Sequence, residues 1–220
     1  MNGYGKLTAV LIAVWFALVL SASAMHLFKN DSNRVGLAVG LAALAPIVLF
    51  SLWFAASDGF RKFALSLNPR TWTFVQSWRV MGIVFVIWEA RHVLPAIFAL
   101  PAGYGDIAIG ATAGSVAWKL ANPGHRSSFI LWQMLGIADL VIAVGLGTTV
   151  GLFSPHRTPM VAVTVLPLSL IPTFLVPLFL IFHLICIVQA RAWKGVSAET
   201  RQTATTVQDF VPRGFQSHRN

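Results

Sequence analysis

Charged residues are scarce in this chain: they make up 10% of its 220 residues, and only seven residues are acidic. A soluble domain usually carries about 25% charged residues. Since 56% of the residues are apolar, the composition excludes an ordinary soluble domain. It is typical of a polytopic membrane protein, with room for about five to seven spans of about 20 apolar residues each.

Cysteine is nearly absent as well, because Cys186 is the single one. One cysteine excludes an internal disulfide and a cysteine-rich metal site, so Cys186 is interpreted as a small apolar packing residue. The sequence also lacks a phosphate-binding loop, a Ser-His-Asp order and a zinc-protease helix. No motif therefore assigns a catalytic reaction, and the question whether the protein is an enzyme stays open.

Basic residues outnumber acidic ones by 16 to seven, which gives a net charge of +9. They form no dense stripe interleaved with aromatic residues, so the sequence predicts no nucleic-acid partner. Instead they lie between apolar runs, where they act as orientation signals and attract anionic headgroups. The predicted partner is the lipid bilayer.

Six apolar runs, each bounded by polar or turn-forming residues, predict an all-α bundle of six transmembrane helices. The runs are Leu7–Phe28, Val35–Ser57, Phe74–Ala99, Ile107–Leu120, Phe129–Phe153 and Met160–Val188. We expect residues 1–197 to form one bundle domain and residues 198–220 to form a polar, mobile cytoplasmic tail. Between the second and third runs, residues 60–67 predict a short interfacial helix.

The distribution of Lys and Arg predicts the orientation of the bundle. Segments on the N-terminal side of the six runs carry eleven Lys and Arg residues, and those on the opposite side carry three. The positive-inside rule then places both termini in the cytoplasm, in the cell inner membrane. An alternative for residues 1–24 is a cleaved signal peptide ending in Ala22-Ser23-Ala24, and the orientation of the other runs is the same under it.

Ionisable residues lie inside or at the edge of these runs, where each costs about 2.5–3.5 kcal/mol on insertion scales. They persist where they pair, line a wet cavity or hold a cofactor. The predicted depths give an outer group of His26, Glu89, Arg91, His92 and Asp106, and an inner group of Gln76, Arg79, Gln133 and His183. Asp139 lies between the groups. The expected ion pairs are Arg79 with Asp139 and Arg91 with Asp106.

The last run contains prolines at positions 167, 172 and 177. Each removes a backbone hydrogen bond, so a kinked last helix is expected. Broken helices in membranes lie against protein or a wet cavity, and transporters use them at binding sites. Before the fourth run, residues 94–106 are apolar and rich in Pro and Gly, and they predict a re-entrant or interfacial cap over the outer group.

The leading hypothesis is a transport or proton-relay protein. Asp139 and Glu89 are its protonatable carboxylates, Arg79 is the tuning charge, and His92 and His183 are the exits to the two sides. Asp106 completes the candidate site, and Gln76 and Gln133 support it.

Two alternatives remain. One is a membrane redox subunit that holds haem b between His26 and His92, while a metal site built from His26, Glu89, His92 and Asp106 lacks short ligand spacing. The other is a non-catalytic subunit whose partners are other membrane proteins or further copies of the chain.

Overall fold

The computed structural model describes residues 3–29, 37–153 and 160–193, and all regular structure in them is helical. The α-helices are α1 (Gly3–Ala24), α2 (Leu37–Ala56), α3 (Asp58–Ser66), α4 (Pro69–Val75), α5 (Ile83–Ala90), α6 (Ala96–Lys119), α7 (Arg126–Phe153) and α8 (Val176–Ala192). Shorter 3₁₀ segments cover Gln76–Gly82, Pro123–His125 and Met160–Thr164, and a π-helix covers Ile171–Leu175. The predicted all-helical class is confirmed for these residues; the predicted tail lies outside them.

Five helical segments of the described chain are long and apolar enough to cross a membrane, which fits the predicted polytopic class. They are Gly3–Ala24, Leu37–Ala56, Ala96–Lys119, Pro123–Gly151 and Ile171–Ala192. The third predicted run is not among them, because its winding changes twice: α4, a 3₁₀ segment and α5 follow one another from Pro69 to Ala90.

The predicted cap over residues 94–106 is wrong. Helix α6 begins at Ala96 and passes through Pro101 and both glycines of that stretch. The reason is packing: a methyl group on Gly103 would lie 3.0 Å from the carbonyl oxygen of Gly82. Glycine here lets the α6 backbone approach the neighbouring segment closely, and that contact outweighs the local tendency of glycine and proline to end a helix.

Side-chain contacts gather several helix ends at one end of the bundle, called the basic end below. Arg70 at the start of α4 lies over the Trp118 ring near the end of α6, 5.9 Å from its centroid. Arg126 at the start of α7 donates from Nε to the Ala190 carbonyl oxygen near the end of α8, at 3.0 Å. The described Lys and Arg residues of this end are Lys6, Arg61, Lys62, Arg70, Lys119, Arg126 and Arg191.

Burial separates a core from a periphery. Helix α8 buries ten residues and α6 buries nine, whereas α1 buries two and α2 buries none. The segments from α4 to α8 therefore build the core, and α1 and α2 flank it with exposed apolar side chains. The run predicted as Met160–Val188 consists of a 3₁₀ segment, turns, the π-helix and then α8.

Helix α3 confirms the short helix expected between the second and third runs. Ser57 caps its start by accepting a hydrogen bond from the Phe60 backbone N–H at 3.2 Å. Buried Phe60 stacks on Trp53 with ring centroids 3.8 Å apart. At the other end, Gln189 of α8 donates from Nε2 to the carbonyl oxygens of Leu65 at 3.1 Å and Leu67 at 2.6 Å. These are carbonyls that a helix end leaves without an intrahelical partner.

We expect Gln189→Leu to release the end of α3. The hydrogen bonds to the half-buried Leu65 and Leu67 carbonyls are lost, each worth about 1 kcal/mol. Backbone amides of residues 58–67 should then exchange with deuterium about tenfold faster or more, while the core of α8 keeps its protection. Val188→Ala is the control, because Val188 is 37% exposed. Equal exchange in both variants would show that Gln189 does not hold α3.

Candidate functional site

Arg79 is the centre of a buried ionic site between three segments of the bundle. It lies in the 3₁₀ segment and is 2% exposed. Its Nε donates to Oδ1 of Asp106 on α6 at 2.7 Å, and its Nη2 pairs with Oδ2 of Asp139 on α7. Nη1 donates to the carbonyl oxygen of Gly136 at 3.2 Å. The predicted pair of Arg79 with Asp139 is confirmed.

The predicted pair of Arg91 with Asp106 is wrong. Because α6 begins at Ala96, Asp106 lies in the interior of that helix, where it contacts Arg79. Arg91 follows the end of α5 and is exposed. Asp106 therefore belongs with the predicted inner group, and the separate outer group does not form among the described residues.

A hydrogen-bonded chain leads from Arg79 towards the basic end. Nη1 of Arg79 lies 3.3 Å from Nε2 of His183, and Nδ1 of His183 contacts Oε1 of Gln133. Nε2 of Gln133 donates to Oγ1 of Thr73 at 3.0 Å. Beyond Thr73, the Sγ of Cys186 lies 3.8 Å from Thr73 Oγ1 and 3.8 Å from the Pro69 carbonyl oxygen. Beyond Arg79, the side chains of His183, Gln133, Thr73 and Cys186 are each at most 1% exposed.

Each donor in this chain is determined by its neighbour. A guanidinium only donates, so Nε2 of His183 accepts and the imidazole is the neutral tautomer with its proton on Nδ1. That proton is donated to Gln133 Oε1, whose amide then donates to Thr73. All hydrogen bonds of this chain of side chains therefore donate in one direction, away from Arg79, and the last one ends on the Pro69 carbonyl oxygen. A carboxamide nitrogen that donates has no lone pair to take up a proton, so the chain orients Arg79 and offers no proton path past Gln133.

Gln76 lies one turn from Arg79 on the same segment and is 1% exposed. Its Nε2 donates to the Phe179 carbonyl oxygen at 3.2 Å, which ties the 3₁₀ segment to α8. Its Oε1 has no hydrogen-bond partner among the described residues. Both glutamines singled out in the sequence are thus buried against α8, Gln133 at His183 and Gln76 at the Phe179 carbonyl one turn earlier.

The charges of the site do not balance. One guanidinium meets two carboxylates, which leaves one excess negative charge if both carboxyl groups are ionised. The Arg79 side chain is 1% exposed, whereas the side chains of Asp106 and Asp139 are 16% and 17% exposed. Each carboxylate also keeps one oxygen that accepts no hydrogen bond from the described residues. An uncompensated charge in a low-dielectric interior is costly, so the site favours uptake of one proton or one monovalent cation.

Four glycines make room for the ionic site, and none of them belongs to the site predicted from the sequence. A methyl group would meet Asp106 at Gly82, Asp139 at Gly105, the His183 ring at Gly136, and the backbone of Arg79 and Val80 at Gly110. Gly110 also forms a G-x-x-x-G spacing with Gly114, which is typical of close helix packing. One sequence feature could have indicated their role: Gly105 lies one position before Asp106, and Gly136 lies three positions before Asp139.

Three residues of the predicted site lie outside this network. Glu89 is half-buried and makes no side-chain ion pair or hydrogen bond with the described residues, and His92 is exposed. His26, the other axial ligand of the haem alternative, is also exposed. His26 and His92 both follow helix ends with φ of 56°, a left-handed conformation in which histidine is enriched. The haem pair stays a prediction.

The alternative metal site is not formed. Its four residues, His26, Glu89, His92 and Asp106, all belong to the described chain, and no three His, Cys, Asp or Glu side chains in that part of the chain lie together as metal ligands. Asp106 instead contacts Arg79.

A family model described as a domain of unknown function, DUF8737, matches residues 32–191. That range includes the whole network around Arg79 and leaves out helix α1. No curated protein and no solved structure matches the chain.

Proposed function

The chain belongs to the DUF8737 family, and we propose that it is an inner-membrane transport or proton-relay protein. In this proposal Asp106 and Asp139 together hold one exchangeable proton against the fixed charge of Arg79. The observation that carries it is the unbalanced triad, in which only the two carboxylates are partly exposed.

The physical argument rests on two charge states. With one proton on the carboxyl pair, the triad is neutral and stable inside a packed bundle. Without that proton, it carries one excess negative charge, which favours a wetter environment or a counter-ion. Gain or loss of the proton therefore biases the bundle between a closed and a more open arrangement, which is the requirement for coupling proton movement to transport.

The roles of the other residues follow from their contacts. Arg79 is the fixed cation, and His183 and Gln133 orient it through the directional chain. His183 is thus a positioning residue in this proposal and not the inner exit that the sequence predicted. Glu89 and His92 stay predictions for the outer part of a proton path.

The proposal includes the six-span orientation. The continuous segment from Pro69 to Ala90 supplies the sixth crossing, so that α6 and α7 run in opposite directions next to it. Tyr4 of α1 stacks on Phe63 of α3 with centroids 6.2 Å apart, which joins the start of α1 to the basic end. Placing the basic end in the cytoplasm follows the positive-inside rule and puts both termini there. Residues 1–197 are proposed to form this single bundle.

Asp139→Asn and Asp106→Asn are each expected to abolish proton exchange while the bundle still folds, because each leaves one carboxylate balanced by Arg79. The measurement is proton flux into liposomes that contain the protein and a pH-sensitive dye, together with the infrared carbonyl band of a protonated carboxyl group. Asp58→Asn is the matched control, since Asp58 is 77% exposed on α3 and pairs with Arg61. Unchanged flux and an unchanged carbonyl band in both site variants would disprove the proposal.

The assembly alternative is favoured by one observation: α2 buries none of its residues within the chain. A face of that kind contacts lipid or the helices of a partner. If the Asn variants keep every flux and lose a partner that copurifies with the wild-type protein, the ionic site serves assembly. The haem alternative is decided by the visible absorption spectrum of the purified protein, since absence of a Soret band ends it.

A further inference from the structure

An apolar cluster, called the plug below, lies next to the ionic site at the end of the bundle opposite the basic end. Its buried members are Phe85, Leu94, Phe98, Ala99, Ala102, Val163 and Leu168. On α7, Ala143, Leu146 and Val150 pack against it, and these follow Asp139 by four, seven and eleven positions on one helix face. The plug therefore lies directly beyond Asp139 and Asp106 along the bundle.

Phe98 lies where the walls of the plug meet. Its ring packs edge-on against Phe85 of α5 with centroids 5.5 Å apart. It also lies on Gly147 of α7, where a methyl group would be 3.2 Å from the Phe98 ring and 3.4 Å from Cε of Met160. Phe98 lies eight positions before Asp106 on α6, which is about 12 Å along the helix.

One wall of the plug is wound irregularly. Between Met160 and Leu175 the chain forms a 3₁₀ segment, turns and a π-helix, and it contains Pro167 and Pro172. These prolines lack the N–H that a regular helix would use, and such irregular winding often marks a functional hinge. Val163 and Leu168 of this wall contribute directly to the plug.

The two sides of the ionic site differ in kind. Towards the basic end, fully buried hydrogen-bonded side chains hold the packing, and separating them leaves polar groups unpaired. Towards the plug, the contacts are apolar, and the wall from Met160 to Leu175 is tied to α1 by a side-chain hydrogen bond from Ser169 Oγ to Ser23 Oγ at 2.9 Å. Opening on the plug side exposes apolar surface but breaks no side-chain hydrogen bond of the network.

We infer that Phe98 is the gate residue of the ionic site, and that the site exchanges with the outer side when the wall from Met160 to Leu175 moves away from Phe98. This inference rests on the proposed function, to which it adds the side of access and the residue that controls it.

Thiol labelling tests the gate, because Cys186 is the only native cysteine and is buried. In a Cys186→Ser background, Ala102→Cys places a reporter thiol behind Phe98, and a membrane-impermeant thiol reagent is added to one side of oriented vesicles at a time. Phe98→Ala leaves a cavity in the plug and is expected to raise the labelling rate from the outer side about tenfold or more. Ile97→Ala, at an adjacent position that is 64% exposed, should leave it unchanged.

Equal labelling in the two variants, or faster labelling from the cytoplasmic side, would overturn the inference. If Phe98→Ala does not yield a monodisperse protein, Phe98→Leu in the same background decides by the same comparison. The result is separable from the proposed function: unchanged proton flux in Asp139→Asn refutes the relay, whereas unchanged labelling in the Phe98 variant refutes only the gate.

Discussion

Arg79→Gln is expected to lower the free energy of unfolding of the bundle by about 3–5 kcal/mol, the usual cost of removing one partner from a buried ion pair. The guanidinium is 1% exposed and binds groups on α6, α7 and α8. Its loss leaves two carboxylates facing each other in the core, with no cation to offset them. Arg79→Lys should recover part of the loss, since an ammonium restores the charge but not the fork of donors.

Stability is measured by unfolding in mixed detergent micelles, followed by circular dichroism. Arg91→Gln is the matched control, because Arg91 is an exposed arginine at the end of α5 that pairs with no carboxylate of the described residues. Charge balance provides the sharper comparison: combining Arg79→Gln with Asp106→Asn and Asp139→Asn removes both uncompensated carboxylates and should restore much of the lost stability. If the triple variant is no more stable than Arg79→Gln, packing and not charge explains the cost.

The central pair could be predicted from the sequence because membrane depth depends mainly on span boundaries. Arg79 in the third run and Asp139 in the fifth have adjacent predicted depths, and helical spacing places Gln76 on the same face as Arg79. The same reasoning placed Gln133 and His183 near them. These positions depend on local sequence and on the bilayer thickness, and both can be read from one chain.

Asp106 was assigned to the wrong group because its helix boundary depends on tertiary contact. Pro101, Gly103 and Gly105 are typical of a turn, yet α6 passes through all three. Gly103 lies against the Gly82 carbonyl, and Gly105 makes room for Asp139. Neither contact can be predicted from the local sequence of α6, because each depends on how the neighbouring helices pack against it. The 3₁₀ winding around Arg79 is hidden for the same reason, since Gly110 presses α6 against that backbone.

The correct start of α6 also changes the mechanism that the sequence predicted, because it replaces Glu89 by Asp106 as the second carboxylate. With Glu89 as the second carboxylate, the polar residues traced a path across the whole bundle. With Asp106 in that place, both carboxylates share one arginine, and the charge imbalance is concentrated at a single site. A relay through this protein then needs a route from that site to each surface, and the route to the outer surface is the one proposed to open at the apolar plug around Phe98.

Gly136→Ala is expected to destabilise the bundle by about 1–3 kcal/mol, the range for overpacking a tight core. A methyl group at this position would collide with the imidazole of His183. The ring would then have to leave its place between Arg79 and Gln133, which breaks the directional chain. Gly145→Ala on the same helix is the control: nothing lies within 4 Å of its added methyl group, so it should be neutral or slightly stabilising.

A double-mutant cycle with His183→Ala isolates the cause, because the smaller side chain vacates the space that the methyl group needs. In the His183→Ala background, Gly136→Ala should therefore cost close to nothing, while Gly145→Ala behaves as it does in the wild-type protein. Unfolding free energies of the wild-type protein, the two single variants and the double variant in one detergent mixture give the coupling. If Gly136→Ala costs the same with and without the imidazole, the collision is not its cause and the glycine does not position His183. If the cost vanishes, the destabilisation by Gly136→Ala in the wild-type background measures how tightly the bundle holds the His183 ring that orients Arg79.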